Sequence, residues 1–232
     1  MNNKSSLSIL IVMSLVSDKA LVLLSGGQDS ATCLAYALSR HSEIYTIAFN
    51  YHQRHVIELT MAKRLSERAS AVHKEIQLSV FRELTTTALT HPDMAIETMD
   101  NGLPNTFVPG RNHLFLSVAA SYAYSEGISH LYTGVCESDY SGYPDCREKF
   151  IQSIQSSLSL ALDTDLLIHT PLMHLSKKET VLLMQDLGCL EWYKETHTCY
   201  EGVSPPCQVC PACQLRAKGF ADAGIQDPLL EI

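Results

Sequence analysis

Two groups of residues in this chain of 232 residues have side-chain types and a spacing that could do chemistry. The first is the segment 25–30 (SGGQDS), which directly follows the apolar run 21–24 and precedes a helical pattern that starts near Gln28. A strand, a glycine turn and a helix start present free backbone N–H groups and a positive dipole end to an anion. A glycine pair alone would indicate only an ordinary strand–turn–helix connection, and the lysine of the Walker A loop is missing. The whole segment nevertheless predicts a phosphate-binding loop.

The second group is a set of four cysteines near the end of the chain, in the pattern C-x₇-C-x₂-C-x₂-C: Cys199, Cys207, Cys210 and Cys213. Four sulfurs this close in sequence suit one tetrahedral Zn²⁺ at Zn–S distances of about 2.3 Å. Two disulfides or an iron–sulfur cluster are the alternatives that the spacing leaves open. A site closed by four cysteines has no open position for water, so we expect this zinc to be structural.

The elements that must position these residues alternate between strands and helices. Strands are predicted at 20–24, 44–49, 74–78, 129–133 and 166–170, and helices at 29–39, 56–70, 113–126, 147–162 and 177–187. This alternation predicts an α/β fold, a doubly wound, Rossmann-like parallel sheet of five strands. We expect an α/β domain over 18–198 and a small zinc-binding C-terminal element over 199–232.

Composition and charge limit the class of partner. The formal net charge of −8 argues against broad electrostatic binding of nucleic acid, although a local basic pocket remains compatible with it. The apolar run 7–16 is too short to span a membrane, and we expect no membrane partner. We predict that 1–17 is a disordered tail or a non-native start, with Met13 as the candidate first residue. The cysteine usage favours a reducing, cytoplasmic location.

Single basic residues near the predicted ligand edge are further candidates. Arg111 follows a Pro-Gly turn at a helix start, which suits a phosphate clamp better than an ordinary surface arginine. Lys177 and Lys178 follow the fifth strand and are either clamps or a solvated helix start. His55 follows the second strand and could handle a proton, although a structural role is equally compatible.

Segment 25–30 resembles the pyrophosphate-binding loop of the PP-loop ATP-pyrophosphatases, which adenylate a carbonyl group and release pyrophosphate. Together with the cysteines, further segments resemble the QueC family of 7-cyano-7-deazaguanine synthases. The matching segments span nearly the whole chain after residue 18: 25–33 (SGGQDSATC), 51–55 (YHQRH), 107–112 (FVPGRN), 138–147 (SDYSGYPDCR), 170–175 (TPLMHL) and 198–216 (TCYEGVSPPCQVCPACQLR).

The resemblance implies an adenine nucleotide alpha hydrolase-like fold and an ATP-dependent ligase. That ligase converts 7-carboxy-7-deazaguanine and ammonia to 7-cyano-7-deazaguanine in queuosine biosynthesis, through an adenylated carboxylate and an amide. It implies catalytic roles for Asp29, Arg111, His55 and Lys177, with Mg²⁺ accompanying ATP. The ATP-binding residues would be Leu24, Ser25, Gly26, Gly27, Gln28, Asp29, Ser30, Ala31, Thr32, Cys33 and Leu34.

For the deazapurine the resemblance implies a recognition loop around 143–147. Asp145 could accept the two N–H donors of a guanine-like edge, and Arg147 could hold the substrate carboxylate, with an ordinary surface loop as the alternative. Arg111 is also expected among the substrate-binding residues. Tyr143 belongs to the same loop, and Phe107 could stack on the ring or lie in the core. The resemblance also implies a homodimer. A PP-loop tRNA-modifying enzyme, such as a thiolase or lysidine synthase, and a non-catalytic zinc-stabilised nucleotide sensor are the alternative functions.

Overall fold

The computed structural model describes residues 18–51, 56–89, 105–137 and 143–230 and, singly, residues 94, 97 and 99. The predicted tail at 1–17, residues 52–55 with His55, and residues 138–142 just before the predicted recognition loop therefore lie outside the described residues. Among the described residues, no helix is both long and apolar enough to cross a membrane.

The five predicted strands form one parallel sheet in the order β3-β2-β1-β4-β5, which confirms the predicted fold class. The strands are β1 (Lys19–Leu23), β2 (Glu43–Asn50), β3 (Val72–Gln77), β4 (His130–Tyr132) and β5 (Leu167–His169). The chain runs outward from β1 to β3 and then returns to place β4 on the other side of β1. Such a reversal opens a crevice at the carboxyl ends of the strands, where ligands bind in sheets of this type.

Helices cover both faces of the sheet because its central strand is apolar on both sides. In β1, Ala20 and Val22 point into one core and Leu21 into the other, and all three are fully buried. One core contains α1 (Gln28–Leu38), α2 (Val56–Arg68), α6 (Lys177–Asp186) and α7 (Pro211–Ala223); the other contains α3 (Val80–Leu84), α4 (Arg111–Ser125) and α5 (Glu148–Leu162).

The start of α6 is fixed by a capping box. The Ser176 hydroxyl accepts from the Glu179 backbone N–H at 3.3 Å, and the Glu179 carboxylate accepts from the Ser176 N–H at 2.7 Å. These reciprocal bonds satisfy two N–H groups of the first turn. Lys177, the first residue of the helix, is therefore held in a defined place.

The C-terminal helix α7 is joined to the α/β domain through Arg216, which is 5% exposed. Its guanidinium donates to the Asp227 carboxylate at 2.6 and 2.8 Å, to Thr196 Oγ1 at 2.7 Å and to the Tyr193 carbonyl at 3.1 Å. The Tyr193 hydroxyl in turn lies 2.7 Å from Thr32 Oγ1 on α1. These contacts cross the boundary that the sequence predicts after residue 198 and tie α7 to the helix that follows the glycine turn.

Candidate active site

The turn between β1 and α1 can be built only with glycine at position 26. Gly26 has φ +89°, and a Cβ there would lie 2.1 Å from the Glu58 carbonyl oxygen of α2. The Gly26 carbonyl also accepts from the His197 backbone N–H at 2.9 Å. The turn is therefore held between α2 and the segment that leads to Cys199, with no space for a side chain.

The first turn of α1 leaves its backbone N–H groups uncapped by side chains, as its N-cap residue is Gly27. The Ser30 hydroxyl donates to the Gly27 carbonyl at 3.0 Å and lies 3.1 Å from the Ser25 hydroxyl. The Ser25 oxygen also accepts from the Gly27 N–H at 3.3 Å. Two hydroxyls and a helix N-terminus therefore meet at one point, which is a suitable arrangement for a phosphate.

Asp29 and Lys177, both predicted as catalytic, form an ion pair. Lys177 Nζ lies 2.6 Å from Asp29 Oδ2, and the two side chains are 14% and 26% exposed. Asp29 Oδ1 and Gln28 Nε2 are buried without a hydrogen-bond partner among the described residues. A buried carboxylate oxygen without a donor is a fitting ligand for Mg²⁺.

The close contact between α6 and α7 keeps Lys177 in this position. A Cβ added at Gly219 of α7 would lie 2.8 Å from Lys177 Cβ. Only a residue without a side chain allows the two helices to approach this closely. Gly219 therefore helps to direct Lys177 towards Asp29. This role could not be predicted from the sequence, where Gly219 is only one glycine within a helical pattern.

A cavity of about 740 Å³ opens at the carboxyl ends of the strands. One wall, here called the glycine-turn end, consists of Ser25, Gly27, Asp29 and Ser30. A second wall, called the arginine end, consists of Tyr51, Glu58, Arg111, Tyr143 and Cys146. A third wall comes from the C-terminal element: Tyr200, Pro211, Ala212, Gln214, Leu215 and Lys218.

The arginine end is a cluster of ionisable side chains. A hydrogen bond joins Arg111 to the Tyr51 side chain. Burial alone would lower the pKa of Arg111, but Tyr51, Tyr143 and Cys146 around it outweigh that effect and raise its pKa. Burial also raises the pKa of Glu58 to about 8, although the Arg111 charge opposes the increase. The cluster therefore contains a fixed positive charge beside a carboxyl group whose proton is exchangeable near neutral pH.

The predicted recognition loop packs against the start of α4. Asp145 is buried; its Oδ2 accepts from the Asn112 backbone N–H at 3.0 Å, and its carbonyl accepts from the Asn112 amide at 3.1 Å. The Tyr143 hydroxyl lies 2.8 Å from Thr106 Oγ1. The Tyr143 ring stacks on the Phe107 ring, with the ring centroids 5.3 Å apart. Arg147 is exposed just before α5.

The predicted substrate residues therefore differ in their relation to the cavity. Arg111 and Tyr143 line it, whereas Phe107, Asp145 and Arg147 are not among its lining residues. The sequence reasoning missed Glu58, Tyr51 and Lys218, which also line the cavity. The sequence does not mark Glu58 as a site residue, because acidic residues are common in the first turn of a helix.

The four predicted cysteines come together as one cluster. The Sγ atoms of Cys199, Cys207, Cys210 and Cys213 all lie within 4.8 Å of one another, and Cys207 and Cys213 are 3.9 Å apart. Tetrahedral Zn–S geometry needs sulfurs about 3.8 Å apart. The Cys207 N–H donates to Cys199 Sγ, and the Cys210 N–H donates to Cys207 Sγ. The cluster fits a metal ion, and a zinc ion in particular.

Comparisons with known proteins place most of the chain in one family. The profile described as "Queuosine biosynthesis protein QueC" matches residues 19–224. A 7-cyano-7-deazaguanine synthase of Chromobacterium violaceum is 49% identical over 219 residues, covering 92% of this chain and 94% of that protein. One from Staphylococcus haemolyticus is 50% identical over 205 residues, covering 88% and 92%.

The fold also resembles that of a solved structure. A 4-thiouridine synthetase in complex with RNA and bound ATP matches with a TM-score of 0.51 at 18% identity, covering 89% of this chain and 50% of that one. Because the identity is low, this likeness shows the shared fold alone.

Proposed function

Because the chain belongs to the family of queuosine biosynthesis proteins QueC, we propose that it is an ATP-dependent ligase that converts 7-carboxy-7-deazaguanine and ammonia to 7-cyano-7-deazaguanine. The observation that carries this proposal is a single cavity lined both by an uncapped helix start and by the half-buried Arg111. An uncapped helix start suits the phosphates of ATP, and a half-buried arginine suits a carboxylate.

The reaction requires the carboxylate to become an electrophile. Attack of the carboxylate on the α-phosphate of ATP gives an acyl adenylate and releases pyrophosphate. Ammonia then displaces AMP to give the amide, and adenylation of the amide oxygen by a second ATP allows AMP to leave as the nitrile forms. The contribution of the protein is to position these groups and to stabilise their charges.

At the glycine-turn end, we assign the β- and γ-phosphates to the N–H groups of the first turn of α1 and to the Ser25 and Ser30 hydroxyls. The remaining predicted ATP-binding positions from Leu24 to Leu34 surround that turn. Asp29 would hold Mg²⁺, which neutralises phosphate charge when bound, and Lys177 would orient Asp29 and balance its charge. This assignment is supported by the unpaired Oδ1 of Asp29.

At the arginine end, we assign the substrate carboxylate to Arg111 and the deazapurine ring to Tyr143, which Phe107 supports by stacking. Asp145 remains the proposed acceptor for the guanine-like edge, with one oxygen already engaged by Asn112. Arg147 is proposed to reach the ligand from the rim, and His55 to assist proton transfer.

The remaining assignments follow from the same family membership. We propose that the four cysteines hold one structural Zn²⁺, which fixes α7 as the third wall of the cavity. We also propose two units at 18–198 and 199–232, a homodimer, a cytoplasmic location and no nucleic-acid or membrane partner. Free ammonium is taken as the nitrogen source.

The test is incubation of the purified protein with 7-carboxy-7-deazaguanine, ATP, Mg²⁺ and ammonium, followed by mass spectrometry of the base and chromatography of the nucleotides. We expect the amide and then the nitrile, with two AMP formed for each nitrile. Absence of both the nitrile and substrate-dependent AMP would refute the assignment. ATP binding without AMP would favour a sensor, and AMP formation that depends on added tRNA would favour a tRNA-modifying enzyme.

A further inference from the structure

The proposed reaction removes every proton from its nitrogen atom. Ammonium carries four N–H bonds, and the nitrile nitrogen carries none. One proton leaves before the nitrogen attacks the acyl adenylate and another as the amide forms. The last two leave from the O-adenylated amide, whose nitrogen is cationic before it loses the first of them. The cavity therefore needs a group that accepts protons repeatedly and passes them to solvent.

Only two of the described residues that line the cavity carry a carboxyl group, Asp29 and Glu58. Asp29 is paired with Lys177 at 2.6 Å at the glycine-turn end. Arg111 cannot accept a proton because its guanidinium is always protonated. Glu58 lies instead at the arginine end, where the substrate carboxylate is proposed to bind.

Glu58 is fixed in place by the glycine turn itself. Its backbone carbonyl packs so closely on Gly26 that no Cβ could be accommodated between them. The residue lies in the first turn of α2, and the end of β2 places Tyr51 beside it. The loop that suits the phosphates therefore also sets the position of this carboxyl relative to them.

From this geometry, we propose that Glu58 is the general base that takes protons from the nitrogen in amide formation and in nitrile formation. This inference rests on the proposed function. The groups that face Glu58 are Arg111 from α4 and Tyr51 after β2, and Tyr143 and Cys146 lie near Arg111. Burial raises the pKa of Glu58 to about 8, so the group accepts and releases a proton near neutral pH.

A purely positioning role predicts different behaviour. If Glu58 only held Arg111 in place, its loss would weaken binding of the substrate carboxylate, and the first adenylation would fail together with the later steps. If Glu58 is the base, adenylation of the carboxylate, which transfers no proton, continues without it. The steps must therefore be measured separately.

The experiment compares Glu58→Gln with Glu67→Gln, an exposed glutamate on the same helix, in the full-length protein. Exchange of pyrophosphate into ATP, dependent on 7-carboxy-7-deazaguanine and without ammonium, reports the first adenylation. Conversion of added 7-amido-7-deazaguanine to the nitrile, which needs no ammonium, reports the proton-removing step. Circular dichroism and zinc content check that each variant folds, and Glu58→Asp provides a second, charge-preserving variant.

We expect Glu58→Gln to keep exchange within about threefold of the wild type while nitrile formation from the amide falls about 10²–10⁴-fold. Glu67→Gln should match the wild type, and Glu58→Asp should recover part of the loss. In the wild type the nitrile-forming rate should rise with pH up to about 8, as Glu58 ionises. That dependence should be absent in Glu58→Gln.

Three results would overturn the inference. Unchanged nitrile formation in Glu58→Gln would exclude the base role while leaving the proposed function intact. Parallel loss of exchange and nitrile formation in folded Glu58→Gln and Glu58→Asp would assign Glu58 to positioning. A wild-type protein that neither exchanges pyrophosphate nor forms nitrile would overturn the proposed function, and this inference with it.

Discussion

The glycine-turn end of the cavity is built from one continuous stretch of chain, whereas the arginine end gathers side chains from separate segments. Ser25 to Ser30 supply hydroxyls and backbone N–H groups whose placement depends on the turn and on the start of α1. At the arginine end the side chains come from separate segments: Tyr51 directly after β2, Glu58 in α2, Arg111 at the start of α4 and Tyr143 in the loop before α5. One end therefore depends on backbone geometry and the other on side-chain charge.

This difference predicts how each end responds to substitution. Backbone N–H groups cannot be removed by changing a side chain, so the glycine-turn end should fail mainly through steric clashes or the loss of the Asp29 charge. At the arginine end each ionisable group alters the pKa of its neighbours, so small chemical changes should alter substrate affinity while ATP binding continues. The substitutions below test this contrast.

Cys210→Ser should have the largest effect, because it removes one of the four sulfurs that are proposed to hold a metal ion at the start of α7. This helix supplies most of the residues of the third wall of the cavity. Binding of a structural zinc contributes directly to folding, on the order of 10 kcal/mol in small domains. We expect near-complete loss of bound metal and at least a 10³-fold loss of nitrile formation, measured by elemental analysis and mass spectrometry.

The matched control for the metal site is Cys189→Ser, which changes a half-buried cysteine outside the cluster. It should leave both metal content and activity unchanged. A Cys210→Ser protein that retained its metal would refute the four-cysteine site and would remove the link between that site and the cavity.

Asp29→Asn should disable the glycine-turn end alone. The substitution keeps the size of the side chain but removes the charge that pairs with Lys177 and that is proposed to hold Mg²⁺. We expect substrate-dependent AMP formation to fall about 10²–10³-fold, while metal content and deazapurine binding are retained. Asp186→Asn, at the exposed end of α6, is the control. Full turnover in Asp29→Asn would show that the charge is not needed.

Gly26→Ala tests whether steric fit defines the glycine-turn end. A Cβ there would clash with the Glu58 carbonyl oxygen at 2.1 Å, so we expect a loss of about 3 kcal/mol in the free energy of unfolding. Gly127→Ala separates strain from clash. Gly127 has a similar φ of +67°, but no atom lies within 4 Å of a Cβ built there. The Gly127→Ala substitution should therefore lower the free energy of unfolding by only about 1 kcal/mol. If denaturant titrations showed that both variants lose the same free energy of unfolding, the close packing at Gly26 would have no role.

The glycine turn and the cysteine cluster could be predicted from sequence because each is local. Residues 25–30 form one turn, and the last three cysteines are separated by two residues each, so chain geometry alone brings their groups together. The strand segments were also predictable, because parallel strands covered on both faces are continuous apolar runs. Their order in the sheet depends on packing between distant elements, which no segment encodes by itself.

The arginine end could be predicted only in part. Arg111 was recognisable from the Pro-Gly turn before it, but its neighbours were not, because Tyr51 and Glu58 reach it only through tertiary packing. Asp145 illustrates the same limit. Its carboxylate suits a guanine-like edge, but the structure shows that one oxygen already accepts from the Asn112 N–H at the start of α4. Spacing along the chain does not reveal which backbone donors a folded loop will meet.

Tyr143→Phe should have the smallest effect, because it tests the contribution of a single hydroxyl at the arginine end. It removes the hydroxyl that lies 2.8 Å from Thr106 but keeps the ring that stacks on Phe107. One hydrogen bond contributes about 1 kcal/mol, so we expect the KM for the deazapurine to rise about fivefold, with the KM for ATP unchanged. Tyr124→Phe, on an exposed residue of α4, is the control. If the KM for ATP rose equally, the two ends would not act separately, and the contrast between them would fail.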